Sequence, residues 1–156
     1  AINAKAETLT TNGMFKWPFE RRRCLVIADG FYEWRKNEDG STTPFRIGLS
    51  TWEPFGFAGV YDQWQGPGGR VRSCTIVTTT PNALMEPIHD RMPVILPRSA
   101  YDEWLDGGSR DTEALSRLLV PYAAAEMAVY EIGSAIGAVK NDTSDLIEPV
   151  SQGKLL

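Results

Sequence analysis

The stretch Arg23-Cys24-Leu25-Val26-Ile27-Ala28-Asp29-Gly30-Phe31-Tyr32-Glu33-Trp34 decides the fold. Its first six residues are mostly apolar and rich in strand formers. Asp29-Gly30 breaks the run, because glycine reaches backbone angles that other residues avoid and aspartate bonds its own turn. Phe31 to Trp34 then resumes extended character. The sequence on either side repeats the pattern. Asn37-Glu38-Asp39-Gly40 is a turn cluster. Phe45-Arg46-Ile47-Gly48-Leu49 alternates apolar with polar or small residues, as a half-buried strand does. Phe55 to Tyr61 reads as an aromatic strand loosened by Gly56 and Gly59, and Gln65-Gly66-Pro67-Gly68-Gly69 as a hairpin-type loop. Val71 to Thr80 predicts a strand with Cys74, Ile76 and Thr78 on one face and Thr75, Val77 and Thr79 on the other. Met127 to Ile132 alternates and predicts one more.

Helical signals are fewer. Asn82-Ala83-Leu84-Met85-Glu86 predicts a single turn capped by Asn82 and stopped at Pro87. Ser99-Ala100-Tyr101-Asp102 has the form of a capping box with Asp in place of Glu, opening a short helix through Leu105 that Gly107-Gly108 ends. Asp111 or Thr112 caps a second helix through Leu119, before Pro121. A weaker helical pattern lies over Ala6–Asn12. The expectation is a mixed α+β fold with a curved, strongly β core.

The chain has 156 residues, 42% hydrophobic and 23% charged, enough for one domain with its own core and no need of disulfides or metal. Five Trp, five Tyr and six Phe exclude global disorder. No run approaches the ~20 apolar residues of a membrane span, and no apolar segment follows Ala1-Ile2-Asn3-Ala4-Lys5 as in a signal peptide. A soluble, cytoplasmic protein is expected. Two cysteines, Cys24 and Cys74, make neither a disulfide scaffold nor a four-thiolate zinc site, and their apolar surroundings predict buried free thiols. Phosphate loop, nucleophile elbow and H-E-x-x-H motif are all missing, so no metal and no cofactor is expected. The net charge of −4 is uneven: residues 1–91 carry 11 Lys+Arg against 10 Asp+Glu, residues 92–156 carry 5 against 10. Arg21-Arg22-Arg23, with Lys16 just before it, is the densest basic run, either a solvated surface or a local nucleic-acid patch. Low charge and the lack of a helix-turn-helix pattern argue against groove readout of duplex DNA.

Three polar side chains carry chemistry. His89, the single histidine, lies in Ile88-His89-Asp90-Arg91-Met92-Pro93, a rigid loop by its charges and its proline. Glu33 stands between Tyr32 and Trp34; aromatic surface should strip its hydration and raise its pKa, which suits proton transfer near neutral pH, unless it points outward from a sheet edge. Alternation puts Glu33 on the side of Phe31, so one of the two is in an unusual place. Asn3 offers two donors and an acceptor, suited to orienting a nucleophile or a carbonyl.

Ile2-Asn3-Ala4-Lys5-Ala6-Glu7-Thr8 resembles the I-N-A-R-x-E-T motif of the SOS response-associated peptidase (SRAP) family. The stretch Arg23 to Trp34 resembles its R-C-L-x-P-A-D-G-[FWY]-Y-E-W signature, and Phe57-Ala58-Gly59-Val60-Tyr61-Asp62 its F-A-G-L-[WY]-[DE] block. Ile76 to Asn82, Ile88-His89-Asp90-Arg91-Met92-Pro93, and Asn141-Asp142 with Ile147-Glu148-Pro149 resemble later blocks, all in family order. The resemblance implies an α+β fold: a single mixed domain over residues 1–150 with a strongly curved, barrel-like β core and a few short helices, and a tail over 151–156.

It also implies a function: covalent shielding of abasic sites in single-stranded DNA. In the family an N-terminal cysteine, exposed when the initiator Met is removed, traps the ring-opened sugar aldehyde as a thiazolidine; the resemblance also implies that this removal is autoproteolytic. The second attack of such an aminothiol is intramolecular, hence entropically cheap. By resemblance Asn3 orients the nucleophile, Glu33 relays protons at the amine and carbinolamine, and His89 is acid/base at the sugar ring. Lys5 stands where the family has Arg and contacts phosphate as a point charge without the bidentate fork. Arg91 is a second phosphate contact, Thr78 a strand-borne backbone contact, and Trp17 a base-stacking surface or a core residue. The family's opening Met-Cys-Gly-Arg and W-G-L region are not in this sequence, and Cys24 and Cys74, inside strands and without a free α-amine, do not replace them. A truncated chain or part of a longer polypeptide is favoured over a degenerate homologue, because Asn3, Glu33 and His89 persist. Two other functions stay open: a cysteine-type peptidase acting in trans, and a single-stranded-DNA-binding module without chemistry.

Overall fold

The structure, a computed structural model, describes residues 3–150; Ile2 of the first motif and the tail expected over 151–156 lie outside the described residues. The fold is α+β, with mixed sheets and a few short helices. Its contacts gather into two compact units, each assembled from separated stretches of chain.

The first unit draws on residues up to 28, on 55–80 and on 91–122. Its strands are β1 (Asn3–Lys5), β2 (Arg23–Ala28), β5 (Phe55–Gly66), β6 (Gly69–Thr79), β7 (Met92–Pro93) and β8 (Ile95–Leu96), ordered β1-β6-β5-β2 with β7 on β6 and β8 on β5. β5 and β6 form a long antiparallel hairpin closed by the pair Gly66↔Gly69. Gly69 takes φ +109°, a conformation that only glycine adopts freely, so the predicted hairpin loop is real and tighter than its five residues implied. β1 lies parallel to β6. The sheet curls where β5 and β6 part. β5 pairs with β6 only from Gly59 onward, while its Gly56 and Phe57 pair with β8 and Thr78 and Thr79 of β6 pair with β7. The segment Met92–Leu96 fills the gap, with Val94 donating to the carbonyl of Val77 and accepting from the N–H of Ala58.

One face of this sheet is apolar because alternate residues are. Ala4, Ala58, Val60 and Val77 pack into a core with Leu9, Phe15, Phe19, Trp104 and Leu115. The covering helices are α1 (Lys16–Arg21), α2 (Tyr101–Leu105) and α3 (Thr112–Arg117). The cysteine expectation needs correction: Cys24 is only half-buried and Cys74 is exposed, because both lie on the other, open face of the sheet.

Arg23 was expected on a solvated surface or in a basic patch, yet it is 8% exposed. It donates to the carbonyls of Trp104, Phe19, Glu20, Asp106 and Ser109. The expected capping box at Ser99 does not form. Arg98–Ala100 is a 3-10 turn, and α2 starts behind Ala100 with no side-chain cap. Asp111 does cap α3, accepting from Glu113 and Ala114 at 3.1 and 3.0 Å. Helical structure in Ala6–Asn12 is confined to the 3-10 turn Ala6–Thr8 and following turns.

The second unit draws on 29–54, 81–90 and the chain from 123 onward. It holds an antiparallel sheet ordered β3-β4-β9, with β3 at Phe31–Lys36, β4 at Thr42–Leu49 and β9 at Met127–Glu131. The β3–β4 turn is the predicted Asn37–Gly40 cluster, with Gly40 at φ +83° and Asp39 accepting from Ser41. Trp52, at φ 56°, stacks under the Arg46 guanidinium at 4.6 Å and against Tyr130 at 5.1 Å.

Candidate active site

Glu33 is the third residue of β3, directly opposite Phe45 of β4. Phe45 is buried and shares its face with buried Ile47, so Glu33, like Phe31, points to the apolar side of its sheet and is half-buried there. Tyr32 and Trp34 point the other way and are each 38% exposed. The expected rise in pKa therefore has a different origin from the one the sequence offered. Burial on the Phe45 face pushes the carboxyl up, against the opposing pull of His89 and of the Trp34 N–H, with Asp90 adding to the rise. The apparent clash of pattern is thus real: a carboxylate stands in register with Phe31 on the apolar side.

His89 reaches Glu33 through a turn. Asn82 accepts from the N–H groups of Leu84 and Met85, as expected of a cap. The turn does not stop at Pro87: Ile88 and His89 both donate to the carbonyl of Met85, at 2.8 and 2.9 Å. Pro87 fits because it sits inside this second turn, where its missing N–H is not called upon. Buried Met85 anchors the turn. His89 Nδ1 lies 3.2 Å from Asp90 Oδ1, with 41% of the imidazole side chain exposed. Trp34, Arg35, Lys36, Pro87, Ile88, His89 and Asp90 line a hollow of about 270 Å³. A carboxyl with raised proton affinity in the field of an imidazole is an arrangement able to pass protons to and from a bound group.

The other expected residues lie together in the first unit. β1 runs beside β6 with Asn3 opposite Ile76 and Lys5 opposite Thr78. Asn3 and Lys5 are exposed on one face while Ala4 between them is buried. Thr78 Oγ1 lies 3.4 Å from the Ala4 carbonyl. Arg91 donates to the Thr78 carbonyl at 2.7 Å and to both oxygens of Glu7 at 2.8 and 2.9 Å. Its fork is thus engaged by the chain's own carboxylate, whose pKa that bond holds down. Glu7 is a residue the site reading passed over, although it stands in the quoted first motif. Trp17 is 46% exposed and carries the Arg22 guanidinium at 4.1 Å from its ring. Cys24 is not an activated thiol: burial, and then the charge of Cys74, pushes it up to about 11. Among the described residues no cluster of His, Cys, Asp and Glu could hold a metal ion, and no helix is long and apolar enough to cross a membrane.

The model of the family described as SOS response associated peptidase (SRAP) matches residues 1–139. The chain belongs to this family. It is 45% identical over 148 residues to the abasic site processing protein YoqW of Bacillus subtilis (strain 168), covering 94% of this chain and 66% of the relative. It is 32% identical to the abasic site processing protein YedK of Escherichia coli (strain K12), over 96% of this chain and 67% of that protein, and 28% identical to HMCES of Gallus gallus, over 97% and 51%. The chain thus spans about two thirds of the length of the bacterial relatives and half that of the chicken one. A crystal structure of a protein from Bacteroides thetaiotaomicron superposes with a TM-score of 0.86 at 29% identity, over 96% of this chain and 66% of that one.

Proposed function

We propose that this chain is the larger part of a protein that processes abasic sites, acting on single-stranded DNA through a covalent intermediate. The observation that carries the reading is Glu33: a half-buried carboxyl with raised proton affinity in the field of His89, whose own ring faces Asp90. The nucleophile is an N-terminal cysteine that is not among these 156 residues. Its amine adds to the C1′ aldehyde of the ring-opened sugar to give a carbinolamine. Loss of water gives an imine, and attack by the thiol sulfur on the imine carbon closes a thiazolidine. One water leaves and no redox partner is needed.

In this scheme Glu33 takes the proton from the attacking amine and returns it to the departing hydroxyl. His89 serves as acid and base in opening the sugar ring. Asn3 orients the amine through its side-chain amide. Lys5 and Thr78 contact the DNA backbone. Arg91 contributes through the face it shares with Thr78, with Glu7 fixing its fork. The family description and the abasic-site names of the relatives support the reading.

The test is incubation of the full-length protein with single-stranded DNA carrying one abasic site, followed by denaturing electrophoresis. A denaturant-stable adduct is expected, formed 10²–10⁴-fold more slowly in Glu33→Gln or His89→Ala, the usual contribution of a positioned acid or base. No adduct, or one indifferent to both changes, overturns the reading. Turnover of a separate peptide by the same protein would favour a peptidase instead.

A further inference from the structure

The open face of the first unit's sheet does not end at Asn3 and Lys5. Residues directly opposite in adjacent strands share a face. Lys5 faces Thr78 and Asn3 faces Ile76 across β1 and β6; Tyr61 faces Cys74, Gln63 faces Arg72 and Gln65 faces Arg70 across β5 and β6. Period-two alternation therefore puts Asn3, Lys5, Thr78, Cys74, Arg72, Arg70, Tyr61, Gln63 and Gln65 on one side. The other side, through Ala4, Ala58, Val60 and Val77, is the core.

The charge that these strands place on that open side is of one sign, and the one carboxylate beside it, Glu7, is taken up by Arg91. Strands β1, β2, β5 and β6 contain one acidic residue, Asp62, which alternation puts on the opposite side, where Arg22 binds it. Arg70 and Arg72 are exposed, and neither makes an ion pair or side-chain hydrogen bond among the described residues. At ~3.3 Å per residue, Arg72 and Arg70 lie roughly 20 and 26 Å along β6 from Thr78. Between the two ends Tyr61, Gln63, Arg72, Ser73 and Cys74 line a shallow hollow of about 450 Å³.

We propose that the open face of the β5–β6 hairpin, with Arg70, Arg72, Gln63 and Tyr61, is a second binding segment for single-stranded DNA, taking the strand that leads away from Lys5 and Thr78. The inference rests on the DNA-binding reading above and extends its footprint. Two guanidinium groups in line with Lys5 suit successive phosphates. The hollow beside Tyr61 admits a base on an aromatic surface, the combination by which single strands are held without regard to sequence. An acidic peptide would satisfy the arginines but leave the aromatic hollow unused.

The test uses undamaged oligothymidylate, so that aldehyde chemistry plays no part, with affinity measured by anisotropy at several salt concentrations. Each phosphate contact on a single strand contributes about 0.7 to the slope of log affinity against log salt. The double change Arg70→Ala with Arg72→Ala is expected to flatten the slope by about 1.4, and Gln63→Lys to steepen it by about 0.7. Val71→Lys adds the same charge to the other side of the hairpin and is expected to leave the slope at the parent value. Maleimide labelling of Cys74 is expected to slow when oligothymidylate saturates the protein. An unchanged slope in the double variant, equal effects of Gln63→Lys and Val71→Lys, undiminished Cys74 labelling, or displacement by polyglutamate as readily as by oligothymidylate would each overturn the proposal. A parent chain that binds no single strand overturns the functional reading along with it. Binding with the expected slopes but no adduct on abasic DNA overturns the covalent chemistry alone.

Discussion

Arg23 is a buried cation held by backbone carbonyls. Burial, and then Arg110 nearby, lowers its proton affinity, yet a guanidinium stays charged and needs its donors filled. Five carbonyls fill them, from the end of α1 and from the chain around and after α2. Removal strands those carbonyls in a dry site, where each unsatisfied group costs on the order of 1–3 kcal/mol. Arg23→Met is therefore expected to lower the stability of the chain by about 3 kcal/mol or more in urea titration. Arg23→Lys should recover only part of it, since an ammonium has three donors and no planar fork. The sequence showed three adjacent arginines and nothing to tell the third apart, because three of its five partners, Trp104, Asp106 and Ser109, come from residues some eighty positions away. Glu33 was legible, since a carboxylate amid strand-forming aromatics is conspicuous, but its environment was not: it faces buried Phe45 across the sheet, and only register reveals that. The pH dependence follows. The folded pKa of Glu33 is raised, so its contribution to stability is fully present below the unfolded carboxyl value and is lost as pH rises through the folded one. Glu33→Gln is expected to be more stable than the parent at pH 7. That advantage should shrink to nothing below the ordinary carboxylate range, as thermal melts across pH would show, while adduct formation falls. A stabilising change that removes activity marks strain kept for function.

At the scale of elements, local chemistry was readable where the element is local. Asp111 caps α3 through bonds two and three residues along, a pattern contained in four letters of sequence. Asp111→Ala is expected to cost about 1 kcal/mol, measured as a lowered denaturation midpoint, and Asp111→Asn very little. β7 and β8 were not readable. Each has two residues, and what makes Met92–Leu96 extended is the gap between β5 and β6, set by pairing across the sheet. α1 tolerates Pro18 because a proline in the first turn removes only an N–H that has no partner there. Gly48 in β4 shows the same dependence on distant chain. A Cβ there would lie 2.8 and 2.9 Å from two ring carbons of Trp52. That ring is held between Arg46 and Tyr130, so it yields only by giving up both contacts. Gly48→Ala is expected to destabilise by about 1–3 kcal/mol, the range for overpacking, with a change in Trp fluorescence as the ring shifts.

At the scale of the whole molecule, charge is sorted by fold rather than by sequence half. The segments that build the first unit carry 11 Lys and Arg against 8 Asp and Glu, and the remainder of the chain 5 against 12. A linear division at residue 91 blurs this contrast, since both units take turns along the chain. A pI near 5.0 is therefore compatible with the proposed DNA-binding face. The proposed footprint offers few phosphate contacts: Lys5, Arg70 and Arg72 are the cations that alternation puts on the open side of β1 and β6, while Arg91 is paired with Glu7. Three contacts on a single strand give a slope of about −2, so raising salt from 50 to 200 mM is expected to weaken binding roughly 20-fold. A protein making six to ten phosphate contacts loses about 10³–10⁵ over the same range. Anisotropy against salt distinguishes the two directly, and a slope steeper than about −4 would mean that cations outside this face carry the binding. A modest slope also fits the proposed chemistry: retention of the damaged strand then depends on the covalent bond at the abasic sugar, and undamaged strands are released.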